Sequence, residues 1–118
     1  MTLREKQSLF VQLVAKLIVW ANENGMQLTF GECWRTPEQA KLNAKTGAGI
    51  SNSLHIERLA IDLNLFVGGV FIDATEGHRR LGEYWKTLHP NCRWGGDFKP
   101  PSRPDGNHYS FSPDGVRA

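Results

Sequence analysis

The 118 residues are 40% hydrophobic and 22% charged, enough for one folded domain with one core and unlike a disordered chain. The formal net charge of +2 falls far short of the dense basic stripe of a dedicated nucleic-acid binder; it suits an anionic partner without requiring one. Two cysteines, Cys33 and Cys92, lie outside any Cys-x-x-Cys pair and make no disulfide framework; they read as buried or idle thiols, with a single bridge left open for an exported protein.

The first predicted element is a helix with Phe10, Leu13, Val14, Leu17, Ile18 and Ala21 on one face. Gln12 and Lys16 interrupt its apolar run and no small-residue cleavage site follows, so it reads as an amphipathic core helix, not a signal peptide or membrane span. Asn24-Gly25 is its stop. MQLTFGEC, residues 26–33, is a strand candidate. TPEQAKLNAK is a short helix, with Thr36 as cap, Pro37 at the first helical position and Gln39 completing a capping box. TGAGISNS, residues 46–53, is a Gly/Ser-rich loop.

Alternation then marks a strand over 60–67, with Ile61, Leu63 and Leu65 on one face and Ala60, Asp62 and Asn64 on the other. VGGV turns it through a two-residue hairpin into VFID. The next helix is expected to start with Thr75 as cap, to bury Leu81, Trp85 and Leu88, and to end at Pro90. CRWGGDF and KPPSRPDGN read as irregular, and HYSF, residues 108–111, as a last short strand. Mixed helices and hairpin-connected strands, with no repeat or linker, predict an α+β fold: one domain over residues 1–118, a small and mainly antiparallel sheet flanked by helices.

Asp62 is the anomaly in this pattern. Aspartate is a poor strand residue, and a carboxylate in so apolar a run needs a partner. His55 lies just upstream, and His108 opens HYSF with Ser110 on the face opposite Tyr109 and Phe111. Two imidazoles and a carboxylate are a sensible zinc set, since a catalytic zinc takes three protein ligands and leaves a position for water. Asp105, three residues before His108, stands where a turn at Gly106 brings a base beside such a site. The same residues also allow a purely structural reading, with His55 in a surface loop, Asp62 paired with Arg58 or another base, and His108 satisfied at a strand edge.

Four segments in order carry a family resemblance. SLHIERLAID resembles the Ser-x-His-x6-Asp motif of the D-Ala-D-Ala carboxypeptidase (VanY-like) zinc peptidases, which include phage L-alanyl-D-glutamate endolysins and share the hedgehog/DD-peptidase fold. CWRTPEQA is similar to the family's arginine-bearing segment, LHPNCRWGGDF to the Trp-Gly-Gly-Asp segment of the phage branch, and DGNHYSF to its terminal Asp-x-x-His with an aromatic strand. The resemblance implies one zinc ion held by His55, Asp62 and His108, Asp105 as catalytic base, Arg35 as the group that steadies substrate and oxyanion, and Ser53 as a substrate contact. For Ser53, a loop-ordering hydrogen bond is the competing role. Arg58 stands where the motif often has glycine, which bears on the cleft wall and on substrate preference.

The expected function is that of a zinc endopeptidase cutting the L-alanyl-D-glutamate bond of peptidoglycan stem peptides, acting as a phage endolysin in host lysis. Two alternatives stand beside it: a D-Ala-D-Ala carboxypeptidase or dipeptidase, and a non-catalytic, zinc-containing wall-binding module. With no signal peptide read at the N-terminus, the protein is expected in the host cytoplasm until released to the wall, as a monomer, with no nucleic-acid or membrane partner. Elsewhere, Asp97 is expected to order its own turn, Trp34 to be a buried aromatic, Trp94 core or cleft wall, His78 solvated, His89 a helix-end residue, and Arg79 with Arg80 a wet helix face.

Overall fold

Helix α1, Leu3–Glu23, opens with a full capping box. The Glu5 amide donates to Thr2 Oγ1 at 3.1 Å and the Thr2 amide to Glu5 Oε1 at 2.9 Å. The computed structural model describes residues 1–46 and 53–113, so most of the loop expected after α2 lies outside the described residues. The remaining elements are β1 (Met26–Phe30), α2 (Pro37–Thr46), a 3-10 turn (Leu54–Glu57), β2 (Ala60–Val67), β3 (Val70–Ile72), a 3-10 turn (Thr75–His78), α3 (Arg79–Thr87), β4 (Cys92–Trp94), a 3-10 turn (Gly95–Asp97) and β5 (His108–Phe111).

The strands form one antiparallel sheet in the order β1-β2-β5-β4, with β3 also on β2. β2 is long enough to serve two neighbours: its C-terminal half pairs with β1 and β3, its N-terminal part with β5. Gly68 and Gly69 both have positive φ, 58° and 79°, the conformation a two-residue hairpin demands and glycine adopts freely. Phe10, Leu13, Val14, Leu17 and Ala21 of α1 and Leu81 and Trp85 of α3 are buried in one core with Ile61, Leu63 and Leu65 of β2. Trp85 sits edge-on to both Phe10 and Tyr109, at centroid distances of 5.9 and 6.2 Å, tying the two helices to the sheet. The architecture is α+β, and among the described residues no helix is long and apolar enough to cross a membrane.

Local chemistry departs from expectation at several points. Thr36 caps α2 through the Gln39 amide at 3.0 Å, but the Gln39 side chain turns to Asn43, so the box is only half made. Thr75 does not cap α3. Ala74 precedes the 3-10 turn without a side-chain cap, and the Thr75 hydroxyl instead accepts from the Gly106 amide at 3.2 Å. α3 ends at Thr87, short of Pro90, and Leu88 is only half-buried. CRW is a strand: β4 pairs with β5, Trp94 opposite Tyr109, and the first part of the segment read as irregular is sheet.

Candidate metal centre

Asp62 and His108 face each other across β2 and β5 as direct register partners, so one short antiparallel pairing puts carboxylate and imidazole on the same face. His55 comes from the 3-10 turn Leu54–Glu57 just before β2. Ser53 caps that turn, its Oγ accepting from the His55 amide at 3.2 Å. Ser53 is itself buried, and this hydrogen bond orders the turn.

The three side chains converge: one donor atom from each lies within 4.8 Å of the others. His55 Nε2 is 3.2 Å and His108 Nδ1 3.8 Å from Asp62 Oδ1, and the two rings meet edge-on at 5.2 Å. His55 and His108 are 2% and 4% exposed, which makes unpaired polar atoms costly. Yet His55 Nδ1, Asp62 Oδ1 and His108 Nε2 have no hydrogen-bond partner. Burial, reinforced by His55, lowers the His108 pKa to about 3, so its ring is neutral, the form that binds a metal. Two imidazoles and a carboxylate that converge, each with a polar atom left unpaired, fit a zinc ion. As for the structural reading of these residues, His55 is buried rather than in a surface loop, and the base that Asp62 meets is histidine rather than Arg58.

Asp105 reaches the surface at the rim of a cleft of about 290 Å³ that also includes Asn64, Asp73 and Asn107. Desolvation first, then repulsion from Asp62, raises its pKa above the usual carboxylate value, against the opposing pull of His55 and Arg35. Its loop is held on every side. The Asp105 amide donates to Gly95 O at 2.9 Å, the His108 amide to Asp105 O at 3.1 Å, Trp94 Nε1 to Gly106 O at 2.7 Å, and the Leu63 amide to Asn107 O at 2.9 Å. This explains the Trp-Gly-Gly segment. Trp94 is buried with its indole N–H on the loop, and a Cβ on Gly95 would collide with Asp105 O and stand 2.7 Å from His108 Cβ.

Arg35 is largely buried and held by Glu32, which accepts from its Nε at 2.7 Å and also contacts Nη2, while the Arg35 amide donates to His55 O at 3.3 Å. Glu32 escaped the sequence reading. Its carboxylate lies 3.8 Å from His55 Nδ1 and its carbonyl accepts from the Asp62 amide at 2.8 Å, so it touches both the arginine and the triad. The visible signal was an acid three residues before Arg35.

Other expectations are met in part. His78 is buried, not solvated: Nδ1 meets the Tyr109 hydroxyl and Nε2 the Ile72 carbonyl, both at 3.1 Å. His89 does follow the end of α3, and there its Nδ1 accepts from the Asn91 amide at 3.0 Å and its ring packs on Phe111. Asp97 pairs with Lys86 at 2.7 Å rather than ordering its turn. Arg79 and Arg80 do form an exposed helix face, with Arg79 paired to Glu76 and Glu83 and Arg80 to Asn24 and the Trp20 ring. Trp34 is 43% exposed, not buried, and Arg58 lies over its ring. Cys33 is exposed and Cys92 buried, both free, with burial pushing the Cys92 thiol up to about 12.

No family model and no curated sequence matches the chain significantly. Solved structures do. A Serratia marcescens L-Ala D-Glu endopeptidase, ChiX, superposes with a TM-score of 0.67 at 19% identity, covering 86% of this chain and 78% of its own. The VanY D,D-pentapeptidase of a VanB-type vancomycin-resistance cassette, solved with Zn(II), superposes with a TM-score of 0.62 at 18% identity, covering 86% of this chain and 70% of its own. The chain therefore has the fold shared by an L-Ala D-Glu endopeptidase and a zinc-bound D,D-pentapeptidase.

Proposed function

We propose that the protein is a zinc-dependent peptidoglycan endopeptidase that hydrolyses the L-alanyl-D-glutamate bond of stem peptides. The observation that carries this reading is the triad His55, Asp62 and His108: one donor atom from each converges within 4.8 Å, and each side chain keeps a buried polar atom without a hydrogen-bond partner among the described residues. The fold likeness to an L-Ala D-Glu endopeptidase and the ordered motifs support the substrate. The phage-like Trp-Gly-Gly segment and the aspartate at position 105 support an endolysin role, the monomeric enzyme passing from host cytoplasm to wall at lysis.

A zinc ion held by the triad would supply a Lewis acid for the scissile carbonyl and lower the pKa of water towards neutrality. Asp105, on its braced loop, accepts the proton of the attacking water and returns it to the leaving amine; its raised pKa suits that exchange. Arg35, pre-positioned by Glu32, neutralises the developing oxyanion, and a tethered guanidinium does so with little reorganisation. Buried apolar neighbours Leu54 and Leu59 keep bulk water from the turn that carries His55.

The test is amine release from purified peptidoglycan with and without chelator, followed by zinc add-back and mass analysis. Chelator-sensitive release with new N-terminal D-Glu supports the reading. Released D-Ala instead supports the carboxypeptidase reading, which the likeness to the D,D-pentapeptidase favours. Zinc binding without release from any wall type leaves a non-catalytic binding module, a reading the braced Asp105 and Arg35 speak against.

A further inference from the structure

Arg58 is the residue with positive φ among the described non-glycine residues, at 57°, where L side chains are disfavoured and glycine is comfortable. It closes the 3-10 turn that carries His55, and its amide donates to His55 O at 3.2 Å. The Arg35 amide donates to the same oxygen. The Arg58 side chain is exposed, and its guanidinium lies 5.0 Å from the ring centroid of Trp34, which is 43% exposed and precedes Arg35 in the chain. Other arginines here are partnered differently: Arg35 by Glu32 and Arg79 by Glu76 and Glu83. Among the described residues Arg58 has no acidic partner, and its guanidinium lies over the Trp34 ring. The cleft on the Asp105 side includes neither Arg58 nor Trp34 and carries the carboxylates Asp73 and Asp105.

A backbone with positive φ, a cation over an exposed indole, and no acidic partner among the described residues, three residues from a candidate metal ligand, have a common explanation in substrate recognition. We infer that Arg58, held by Trp34, is a specificity-determining residue that binds the free carboxylate of the substrate's glutamyl residue. The inference rests on the function proposed above. A γ-linked glutamyl residue keeps its α-carboxylate, and a planar guanidinium takes a carboxylate through two parallel hydrogen bonds that a carboxamide cannot match. Arg35 is already engaged with Glu32, so it is less free to take this second charge.

The experiment uses zinc-loaded protein and two synthetic stem peptides, identical except for a glutamyl α-carboxylate or α-carboxamide. Cleavage is read as kcat and KM, and binding separately by calorimetry. The wild-type protein should favour the carboxylate peptide by about tenfold in KM, as a charge-assisted pair at an exposed site allows. Arg58→Gly should erase that preference, with the change in KM rather than kcat, while its zinc content is kept and its melting temperature is no lower, because glycine relieves the positive φ. A role confined to holding the turn would lower the melting temperature and leave the carboxylate preference intact, which would overturn the inference. So would equal KM for both peptides in the wild type, although cleavage itself would leave the proposed function standing. Carboxylate-selective, Arg58-dependent binding without cleavage would uphold Arg58 and sink the peptidase. Neither binding nor cleavage of either peptide would overturn both.

Discussion

Two buried histidine clusters lie on the same strand, one residue apart. At Tyr109, His78 is 1% exposed and both its nitrogens are partnered, by a hydroxyl and a carbonyl. At position 108, the imidazole is 4% exposed and leaves Nε2 unpaired beside unpaired atoms of His55 and Asp62. Burial is nearly equal; satisfaction is not. A buried, bonded histidine is a structural joint, here tying β3 and α3 to β5. A pair of buried histidines around a carboxylate, each with one nitrogen left unpaired, costs stability unless something else completes the bonding. Burial therefore does not separate the two histidines in this protein; the unpaired nitrogen and the convergence with a second imidazole and a carboxylate do.

The contrast can be broken most sharply at the chemistry. Asp105→Asn should keep zinc and lower hydrolysis by about 10³-fold, within the usual range for loss of a general base. An active, zinc-loaded Asp105→Asn protein would remove Asp105 from that role. The second effect separates the two histidines directly. With zinc at about 100 times its dissociation constant, binding adds about 2.7 kcal/mol of stability to the wild type. Chelator should remove that increment in the wild type and in His78→Ala, and leave His108→Ala unmoved. A chelator response surviving in His108→Ala would dissolve the distinction.

His78→Ala tests the joint itself. It orphans the Tyr109 hydroxyl and opens a cavity, so urea unfolding should show a loss of about 2–4 kcal/mol with zinc affinity retained. The smallest effect is a pH slope. Desolvation is the leading cause of the lowered His78 pKa, opposed by Ile72 O and Asp73. The unfolded chain then binds this proton more readily than the folded one. The His78 contribution is complete above the unfolded value near 6.5 and is lost as pH falls towards the folded value. Metal-free protein should lose stability below about pH 6.5, and His78→Gln should flatten part of that slope.

Much of the fold was legible because its periods are local. The alternation Ile61, Leu63, Leu65 identified β2 over 60–67, and the apolar face from Phe10 to Ala21 identified α1, because one buried face repeats within a few residues. The hairpin at Gly68-Gly69 was readable for the same reason: the turn itself requires positive φ. β4 was missed because three residues before a glycine pair carry no period, and Thr75 was misread as a cap because its actual partner, Gly106, is distant in sequence. His78 looked solvated among Glu76, Arg79 and Arg80, since only the packing of Tyr109 reveals its burial. Glu32 was passed over because its contacts with His55 and Asp62 depend on the chain after β1 running on alongside β2.

The sequence by itself determined which residues alternate in and out of the core, where the chain turns, and which imidazoles and carboxylates stand at unusual positions. Those are properties of neighbours a few bonds apart. Only the tertiary structure decided that Asp62 lies opposite His108, that the Ser53-capped turn brings His55 to them, and that Trp94 and Gly95 brace the loop of Asp105. The physical reason is that register and burial are set by closing distant strands over a shared core, and the convergence of two imidazoles and a carboxylate exists only once that closure has brought them together and excluded water.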